Sequence, residues 1–320
     1  MNRKRFTAPG FLALGAACVL SLAACSSGDP AGGAAKPEKI ERIGLMVQDM
    51  SNPFFSAMDK GAKEAAKSIG ATTNTQDAQL DLANQNNQID AFIQQGVDLI
   101  VVSAVDEDGL QPAIERARNA GIIVIAVDTP AKGADAVVMT DAVQAGEKSC
   151  TFLFEQLGGK GNVLLVDGTP IQTIRDRIDG CKKVKEKFPG IKIVGQQASK
   201  NDRASGLAVT TDMLTATPDV QGIFGMNDPS ALGAVLAVEQ AGKAGQVKVT
   251  GVDGSPEAVA ELKRPGSPFI ATATQNPAEM VRQAVKVAQD IVAGNPPSDS
   301  TILIPSVLVE RDKVDEYPGW

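Results

Sequence analysis

The chain has 320 residues, of which 43% are hydrophobic and 22% are charged, a composition typical of a globular α/β protein and not of a disordered or collagen-like chain. At about 150 residues per domain, this length corresponds to two domains. The formal net charge is −7 and no long basic run follows the N-terminus, which argues against a nucleic-acid partner. Histidine is absent, which excludes histidine-ligated zinc and the catalytic triads that contain histidine.

The first 24 residues have the layout of an export signal. A basic stretch at residues 3–5 precedes a short apolar run from Phe11 to Leu20, which is too short to span a bilayer. The segment Leu22-Ala23-Ala24-Cys25 resembles the lipobox of bacterial lipoproteins, in which the cysteine is acylated and becomes the mature N-terminus. We therefore expect lipidation at Cys25, with an ordinary cleaved signal and a coincidental cysteine as the alternative.

Residues 25–39 are rich in Ser, Gly, Ala and Pro and lack apolar periodicity, so they are predicted to form a flexible tether. Beyond the tether the chain contains two cysteines, Cys150 and Cys181, both on predicted helices. In an oxidising compartment these two residues are candidates for a disulfide. Two buried free thiols are the alternative.

From Glu41 onward, short β-branched runs alternate with amphipathic segments, a pattern that predicts parallel sheets with helices on both faces. The predicted strands are Ile43–Gln48, Thr72–Thr75, Leu99–Ser103, Ile122–Val127, Val137–Thr140, Val163–Val166, Ile191–Gln196, Ile223–Met226, Val247–Val252 and Phe269–Thr274. The predicted helices include Phe54–Ile69, Leu82–Gln95, Ala142–Leu157, Ile174–Phe188, Ala231–Ala241 and Ala278–Ala293. Ten strands exceed one mononucleotide-binding half, so we predict an α/β fold of two Rossmann-like lobes with parallel sheets.

Polar side chains follow the carboxyl ends of the predicted strands, where open parallel sheets bind their ligands. Carboxylates, amides and a guanidinium together can satisfy hydroxyl groups that both donate and accept hydrogen bonds. Aromatic rings can cover the apolar C–H faces of a sugar. The candidate ligand-binding residues are Asn52, Phe54, Phe55, Asp128, Asp141, Arg175, Asn227, Asp253 and Gln275.

Each candidate also has a structural alternative. A strand-end Asp or Asn is commonly a helix N-cap, which is the role expected of Ser51, Asp81 and Asp228. One of the two phenylalanines is expected to be a core residue. Arg175 has charged neighbours and could be a solvated surface residue.

Two further motifs are not predicted to bind a ligand. Gly158-Gly159-Lys160-Gly161 has no strand before it and no helix after it, so it is interpreted as a helix stop and a turn. Asp106-Glu107-Asp108-Gly109 is not followed by EF-hand spacing, and we interpret it as a helix N-terminus with favourable acidic charge.

Taken together, these motifs resemble those of the bacterial periplasmic sugar-binding proteins of the ribose-binding type, the substrate-capturing subunits of ABC importers. The resemblance runs from about Ile40 to Val309. Its most specific segments are Ser51–Phe55, Val124–Asp128, Arg175–Gly180, Asn227-Asp228 with Ala231–Ala234, Gly251–Gly254 and Thr274-Gln275.

The resemblance implies roles for individual residues. Amide, carboxylate and guanidinium groups hydrogen-bond the sugar, while Phe54 and Phe55 flank its ring. Two positions depart from the ribose-binding pattern, because Thr129 stands where the family has an arginine and Asn201 where it has a stacking phenylalanine. These departures predict a sugar or polyol of a different shape from ribose. The residues implied to hydrogen-bond it are Asn52, Asp128, Arg175, Asn227, Asp253 and Gln275.

The same resemblance implies two lobes with a ligand cleft between them, joined by a three-segment hinge near Asp141, Gln275 and Ile304. The expected parts are a signal peptide at 1–24, a tether at 25–39, an N-terminal lobe at 40–140 plus 276–304, and a C-terminal lobe at 141–275 plus 305–320.

The expected function is that of a monomeric, lipid-anchored substrate-binding protein, not an enzyme, on the extracytoplasmic face of a bacterial cell membrane. Its expected partners are a small sugar or polyol, ABC permease subunits, and the membrane through the lipid anchor only, with no nucleic acid, cofactor or metal. A sugar-sensing component of chemotaxis or signalling, and an enzyme acting on a sugar or dinucleotide, are the alternatives.

Overall fold

Two six-stranded sheets form the framework of the protein. The computed structural model describes residues 34–317, 319 and 320, so the predicted signal peptide, Cys25 and the first part of the tether lie outside the described residues. The strands are β1 Arg42–Val47, β2 Thr72–Asp77, β3 Leu99–Val102, β4 Ile123–Val127, β5 Ala136–Thr140, β6 Lys160–Asp167, β7 Gly190–Ala198, β8 Gly222–Gly225, β9 Lys248–Asp253, β10 Phe269–Thr274, β11 Thr301–Ile304 and β12 Leu308–Glu310. The helices are α1 Pro53–Ile69, α2 Leu82–Gln95, α3 Gln111–Asn119, α4 Ala142–Gln156, α5 Gln172–Lys185, α6 Arg203–Ala216, α7 Asp228–Gln240, α8 Pro256–Lys263 and α9 Pro277–Val292, followed by a 3-10 helix at Arg311–Glu316.

The two sheets are similar in strand order. The first has the order β11-β5-β4-β3-β1-β2 and the second the order β12-β10-β9-β8-β6-β7. Every neighbouring pair is parallel except β10 and β12, which run antiparallel. The predicted α/β fold with two lobes and parallel sheets is therefore confirmed.

The chain passes between the sheets three times. It leaves the first sheet after β5, returns to it after β10 through α9, and crosses again between β11 and β12. Helix α9 packs against α1 and the first sheet, whereas α4 packs against strands of the second. We call the first sheet with α1–α3 and α9 the first lobe, and the second sheet with α4–α8 the second lobe.

Central strands are buried on both faces because helices cover both sides of each sheet. Strands β3 and β4 contain no exposed residue. Their alternate side chains pack into two separate apolar clusters, one on each side of the first sheet. The second sheet has the same arrangement. Such strands consist of continuous aliphatic runs, as parallel sheets covered on both faces require.

Helices α4 and α5 approach each other closely at two glycines. A Cβ atom on Gly146 would lie 2.0 Å from the carbonyl oxygen of Arg177, and one on Gly180 would lie 2.2 Å from that of Val143. The buried Cys150 and Cys181 join the same two helices through a disulfide. The alternative of two free thiols therefore does not hold in this structure. The disulfide and the close contacts at the two glycines fix the position of α5 relative to α4.

Replacing both cysteines by alanine should lower the free energy of unfolding by about 3 to 4 kcal/mol, because the bond closes a long loop in the unfolded chain. The cysteines are 31 residues apart. Urea denaturation of the wild type and the double variant measures the difference. Titration of two reactive thiols in the unreduced, unfolded protein lacking residues 1–33 would contradict the bond.

Candidate functional site

A cavity of 570 Å³ lies between the two lobes at the carboxyl ends of their strands. Most of its lining side chains are polar, and both lobes supply them. The first lobe contributes Gln48, Asp49, Ser51, Asn52, Pro53, Phe54, Phe55, Leu80 and Asp128. The second lobe contributes Ile171, Thr173, Ile174, Arg177, Lys200, Asn201, Asp202, Arg203, Asn227, Pro229, Asp253 and Glu257, and Gln275 lies at the second crossing.

An ion pair between Arg177 and Asp253 lies on the second-lobe wall of the cavity. The Nη1 atom of Arg177 donates to Asp253 Oδ1 at 3.3 Å and to the carbonyl oxygen of Met226 at 2.9 Å. Both side chains are nearly fully buried, with 4% and 6% of their surface exposed. A buried charge needs a partner and further hydrogen bonds, and these contacts hold both groups in place.

The carboxylate of Asp253 has additional fixed partners. Its Oδ1 accepts from Gln275 Nε2 at 2.8 Å, and its Oδ2 accepts from the backbone N–H of Asp228 at 3.3 Å. The single tryptophan of the chain, Trp320, donates from Nε1 to the carbonyl oxygen of Asp253. The Trp320 ring also meets Phe54 edge to face at 6.0 Å, so it touches the walls of both lobes.

On the first lobe, Asp128 lies at the end of β4 beside a buried hydrogen-bond network. Ser103 and Thr129 donate to its Oδ2 at 3.3 and 3.4 Å. The amide of Gln48 donates to the hydroxyls of Ser103 and Thr129, each at 3.1 Å. These side chains at the ends of β1, β3 and β4 therefore fix the carboxylate that lines the cavity.

Burial raises the pKa of two carboxyl groups that line the cavity, Asp128 and Asp253, and of Asp228 behind its wall. It raises the pKa of Asp128 to about 6, although the Arg177 charge acts in the opposite direction. The pKa values of Asp228 and Asp253 are also raised, chiefly because both groups are fully buried. Groups whose environment opposes their charge are often found at functional sites.

Backbone strain is concentrated around the cavity. In the described residues, five non-glycine residues have positive φ, and four of them line the cavity. The φ values are 57° at Leu80, 63° at Asp128, 66° at Asn201 and 142° at Asp253. Such conformations carry an energetic cost and persist where the surrounding contacts impose them.

Most of the predicted site residues meet at this cavity. Phe54 and Phe55 both line it, and both are buried against the first-lobe core as well. Asn52 and Asn227 cap α1 and α7 and also line the cavity, so the capping role does not remove either side chain from the candidate site. The predicted residues that line the cavity are Asn52, Phe54, Phe55, Asp128, Asn201, Asn227, Asp253 and Gln275.

The structure does not place Arg175 in the cavity, whose guanidinium groups are those of Arg177 and Arg203. Arg175 lies outside it, with 45% of its side chain exposed, and contacts Gln172, Glu107 and the carbonyl oxygen of Pro170. Two positions along a helix turn a side chain by about 200°, which separates these neighbours onto different faces. The inward face of α5 also carries the buried Ile174, Ile178 and Cys181.

Two other predicted residues do not line the cavity. Asp141 caps α4 by accepting from the backbone N–H of Gln144 at 2.9 Å. Thr129 is fully buried and hydrogen-bonds Gln48 and Asp128, so it acts behind the wall of the cavity. The expected caps Ser51 and Asp228 are also wrong, because Asn52 and Asn227 occupy those cap positions, whereas Asp81 does cap α2.

Asn201 lines the cavity, and its amide makes two hydrogen bonds to Thr169. Its Oδ1 accepts from the backbone N–H of Thr169 at 3.0 Å, and its Nδ2 donates to Thr169 Oγ1 at 2.7 Å. Asn201 has a left-handed backbone conformation, which asparagine tolerates better than most residues. It therefore holds the loop after β6 and leaves this part of the wall without an aromatic ring.

Several cavity residues are not among those predicted from the sequence. Gln48 ends the predicted strand Ile43–Gln48, and this strand-end position is the signal that could have identified it. Thr173, Lys200 and Glu257 lie on or beside helix starts, and no strand-end signal marks them. The residues missed are Gln48, Asp49, Thr173, Arg177, Lys200, Asp202, Arg203 and Glu257.

Within residues 34–317, 319 and 320, no group of three or more Cys, Asp or Glu side chains is arranged to hold a metal ion. The same part of the chain contains no helix with the length and apolarity needed to cross a membrane.

Replacing Asp128 by asparagine should raise the free energy of unfolding relative to the wild type as pH increases. Because the pKa of Asp128 is raised, the folded wild type holds this proton more tightly than the unfolded chain does. The free energy of unfolding of the wild type therefore falls as pH rises from about 4 to above 6, whereas the asparagine variant lacks this loss. Between pH 4 and pH 7.5 the variant should gain about 2 kcal/mol over the wild type. Urea denaturation across this range measures the gain, and a pH-independent difference would contradict it.

Comparison with known proteins places this chain in a family. Residues 43–296 match the periplasmic binding protein domain. The ribose import binding protein RbsB of Bacillus subtilis (strain 168) is 33% identical over 79% of this chain and 82% of its own length. The xylitol-binding protein of Mycolicibacterium smegmatis is 30% identical over 96% of this chain and 86% of its own length.

Solved structures agree with the sequence comparisons. An ABC transporter periplasmic solute binding protein from Actinobacillus succinogenes with bound D-allose superimposes with a TM-score of 0.82 at 32% identity, covering 87% of this chain and all of that one. These relatives are binding proteins, and their family is extracytoplasmic. The chain belongs to the periplasmic sugar-binding proteins of the ribose-binding type, and it is a substrate-binding protein rather than an enzyme.

Proposed function

We propose that this protein captures one small sugar or polyol in the cavity by closing its two lobes, and that it delivers the ligand to an ABC permease. The observation that carries the proposal is the division of the polar cavity wall between the lobes. Asp128 belongs to the first lobe, and the Arg177–Asp253 pair belongs to the second.

Closure of the two lobes allows the ligand to bond both walls of the cavity at once, and these added contacts increase its affinity. A hydroxylated molecule can reach the carboxylate of Asp128 and the guanidinium of Arg177 together only when the lobes meet. It therefore binds the closed form better than the open form and shifts the population towards closure. A permease that recognises the closed form would accept loaded protein in preference to empty protein.

The cavity favours a flexible, hydroxyl-rich ligand over a ring held between two aromatic faces. Among the described residues, the only aromatic rings that line it are Phe54 and Phe55, both on α1 of the first lobe. On the second lobe, Asn201 is bonded to Thr169 where an aromatic ring would otherwise lie, and on the first lobe Thr129 supplies no guanidinium beside Asp128. The second-lobe wall therefore presents polar groups together with Ile171, Ile174 and Pro229 but no aromatic ring, which suits an acyclic polyol such as the xylitol named for one relative.

Lipid anchoring is the second part of the proposal. It is supported by the segment Leu22-Ala23-Ala24-Cys25 and by the Ser-, Gly- and Pro-rich stretch that follows it. An acylated Cys25 would hold the binding lobes near the membrane in which the permease lies. Delivery to a permease is supported by the import and ABC transporter names of the relatives.

Replacing Arg177 by glutamine should weaken binding of xylitol, D-ribose or D-allose, whichever binds, by about 10- to 100-fold, since a hydrogen bond to a charged group is lost. Isothermal titration calorimetry measures the change. Arg116→Gln is the matched control, because Arg116 is an exposed first-lobe arginine paired with Asp90. Equal affinity of the wild type and Arg177→Gln, or absence of binding by the wild type to all three compounds, would contradict the proposal.

Replacing Cys25 by serine should release the full-length protein from the membrane fraction of a bacterial host, because the acylated residue is lost. Detergent phase partition of the wild type and the variant measures this. Membrane association that is unchanged in Cys25→Ser would contradict anchoring at this residue, while leaving the proposed binding function intact.

A further inference from the structure

Glu107 connects the two lobes beside the cavity, although it does not line it. Its Oε1 atom accepts a hydrogen bond from the backbone N–H of Gln172 and lies 3.3 Å from Nη2 of Arg175. Glu107 follows β3 in the first lobe, whereas Gln172 and Arg175 belong to α5 of the second lobe. We call these three residues the Glu107 latch.

The start of α5 has no side-chain cap within its own lobe. The residue at its cap position is Ile171, which has no side-chain acceptor, whereas α1, α2, α4 and α6–α9 each begin with a capping Asn, Asp or Ser. The free N–H groups of a helix start are stabilised by an acceptor and by negative charge. Glu107 supplies both from the opposite lobe, so this cap is present only when the lobes are together.

Both sides of the latch are held in position. Asp106 Oδ1 accepts from the backbone N–H groups of Asp108 and Gly109, and the carbonyl oxygen of Glu107 accepts from the N–H of Lys132 at 2.9 Å. On the other side, Arg175 Nη2 donates to Gln172 Oε1 at 2.9 Å. Groups that are already ordered lose little side-chain entropy when they meet.

Thr173, which follows Gln172 on α5, makes a second contact between the lobes. Thr173 Oγ1 donates to the carbonyl oxygen of Asp128 at 2.7 Å. Consecutive residues of α5 therefore bond the first lobe, one at the latch and one at the backbone of a cavity carboxylate. Arg177, two residues beyond Arg175, lies on the same helix, so closing the latch and presenting the guanidinium occur together.

We propose that the Glu107 latch stabilises the closed form of the protein without ligand, and that Glu107 and Arg175 thereby act as positioning residues that set the affinity of the cavity. The apparent affinity of a ligand is proportional to the fraction of protein already in the binding-competent state. The affinity part rests on the proposed function, whereas the stabilisation of the closed form does not. Within the acidic segment 106–109, Glu107 caps a helix of the other lobe, whereas Asp106 accepts hydrogen bonds from its own turn and α3 has no side-chain cap.

Hydrogen exchange of the ligand-free protein tests the latch directly. Glu107→Ala should raise the exchange rate of the peptide that contains Gln172 and Thr173 by about 5- to 10-fold, because the cap and the ion pair are lost. It should also increase the radius of gyration measured by small-angle X-ray scattering. Asp108→Ala is the matched control, because it removes the same charge from the same turn and its side chain, 84% exposed, pairs with Lys132 of the first lobe.

Equal exchange at the start of α5 in the wild type and in Glu107→Ala, with equal radii of gyration, would overturn the latch. Glu107→Gln keeps the acceptor but removes the charge, so it should give an intermediate rate and provides the same test if the alanine variant does not fold. With xylitol as the probe, the dissociation constant of Glu107→Ala should increase by the factor by which the closed fraction falls. Failure of the wild type to bind xylitol would count against the proposed ligand class and would leave the ligand-free result unaffected.

Discussion

Arg177 and Asp253 place opposite charges next to each other in the second lobe, at a point from which water is largely removed. Such a pair is stable only if its remaining hydrogen-bonding capacity is met, and Met226, Gln275 and the N–H of Asp228 meet part of it. The pair is nevertheless part of the cavity wall. A hydroxylated ligand would complete the coordination of both groups, so the same constraint that demands buried partners also creates a preference for polar ligands.

The fold maintains this pair through a few close contacts. Gly146 and Gly180 let α4 and α5 touch, and the Cys150–Cys181 bond joins the same helices. The inward face of α5 is thereby fixed relative to β9, at whose end Asp253 lies. On the opposite lobe, the ends of β1, β3 and β4 fix Asp128 through Gln48, Ser103 and Thr129. Each lobe therefore holds its own charged groups in place, and the proposed closure would only have to bring the two lobes together.

Much of this architecture could be predicted from the sequence, because aliphatic runs such as β3 and β4 are long enough to identify parallel strands. The two short strands β11 and β12 were missed, since they lie at sheet edges and have partly exposed residues. Strand ends correctly located Asp128, Asn227 and Asp253. Which face of α5 an arginine occupies depends on the rotation of the helix about its axis, which strand-end signals do not give, and the contact of Glu107 with α5 joins two lobes and has no local sequence pattern.

A crystal structure of the protein with the compound that binds most tightly among xylitol, D-ribose and D-allose tests the central claim most directly. The account predicts closed lobes and one ligand whose hydroxyl groups bond both the carboxylate of Asp128 and the guanidinium of Arg177. A ligand that contacts one lobe only, or that lies outside the cavity while Arg177 and Asp253 bond only each other, would contradict it.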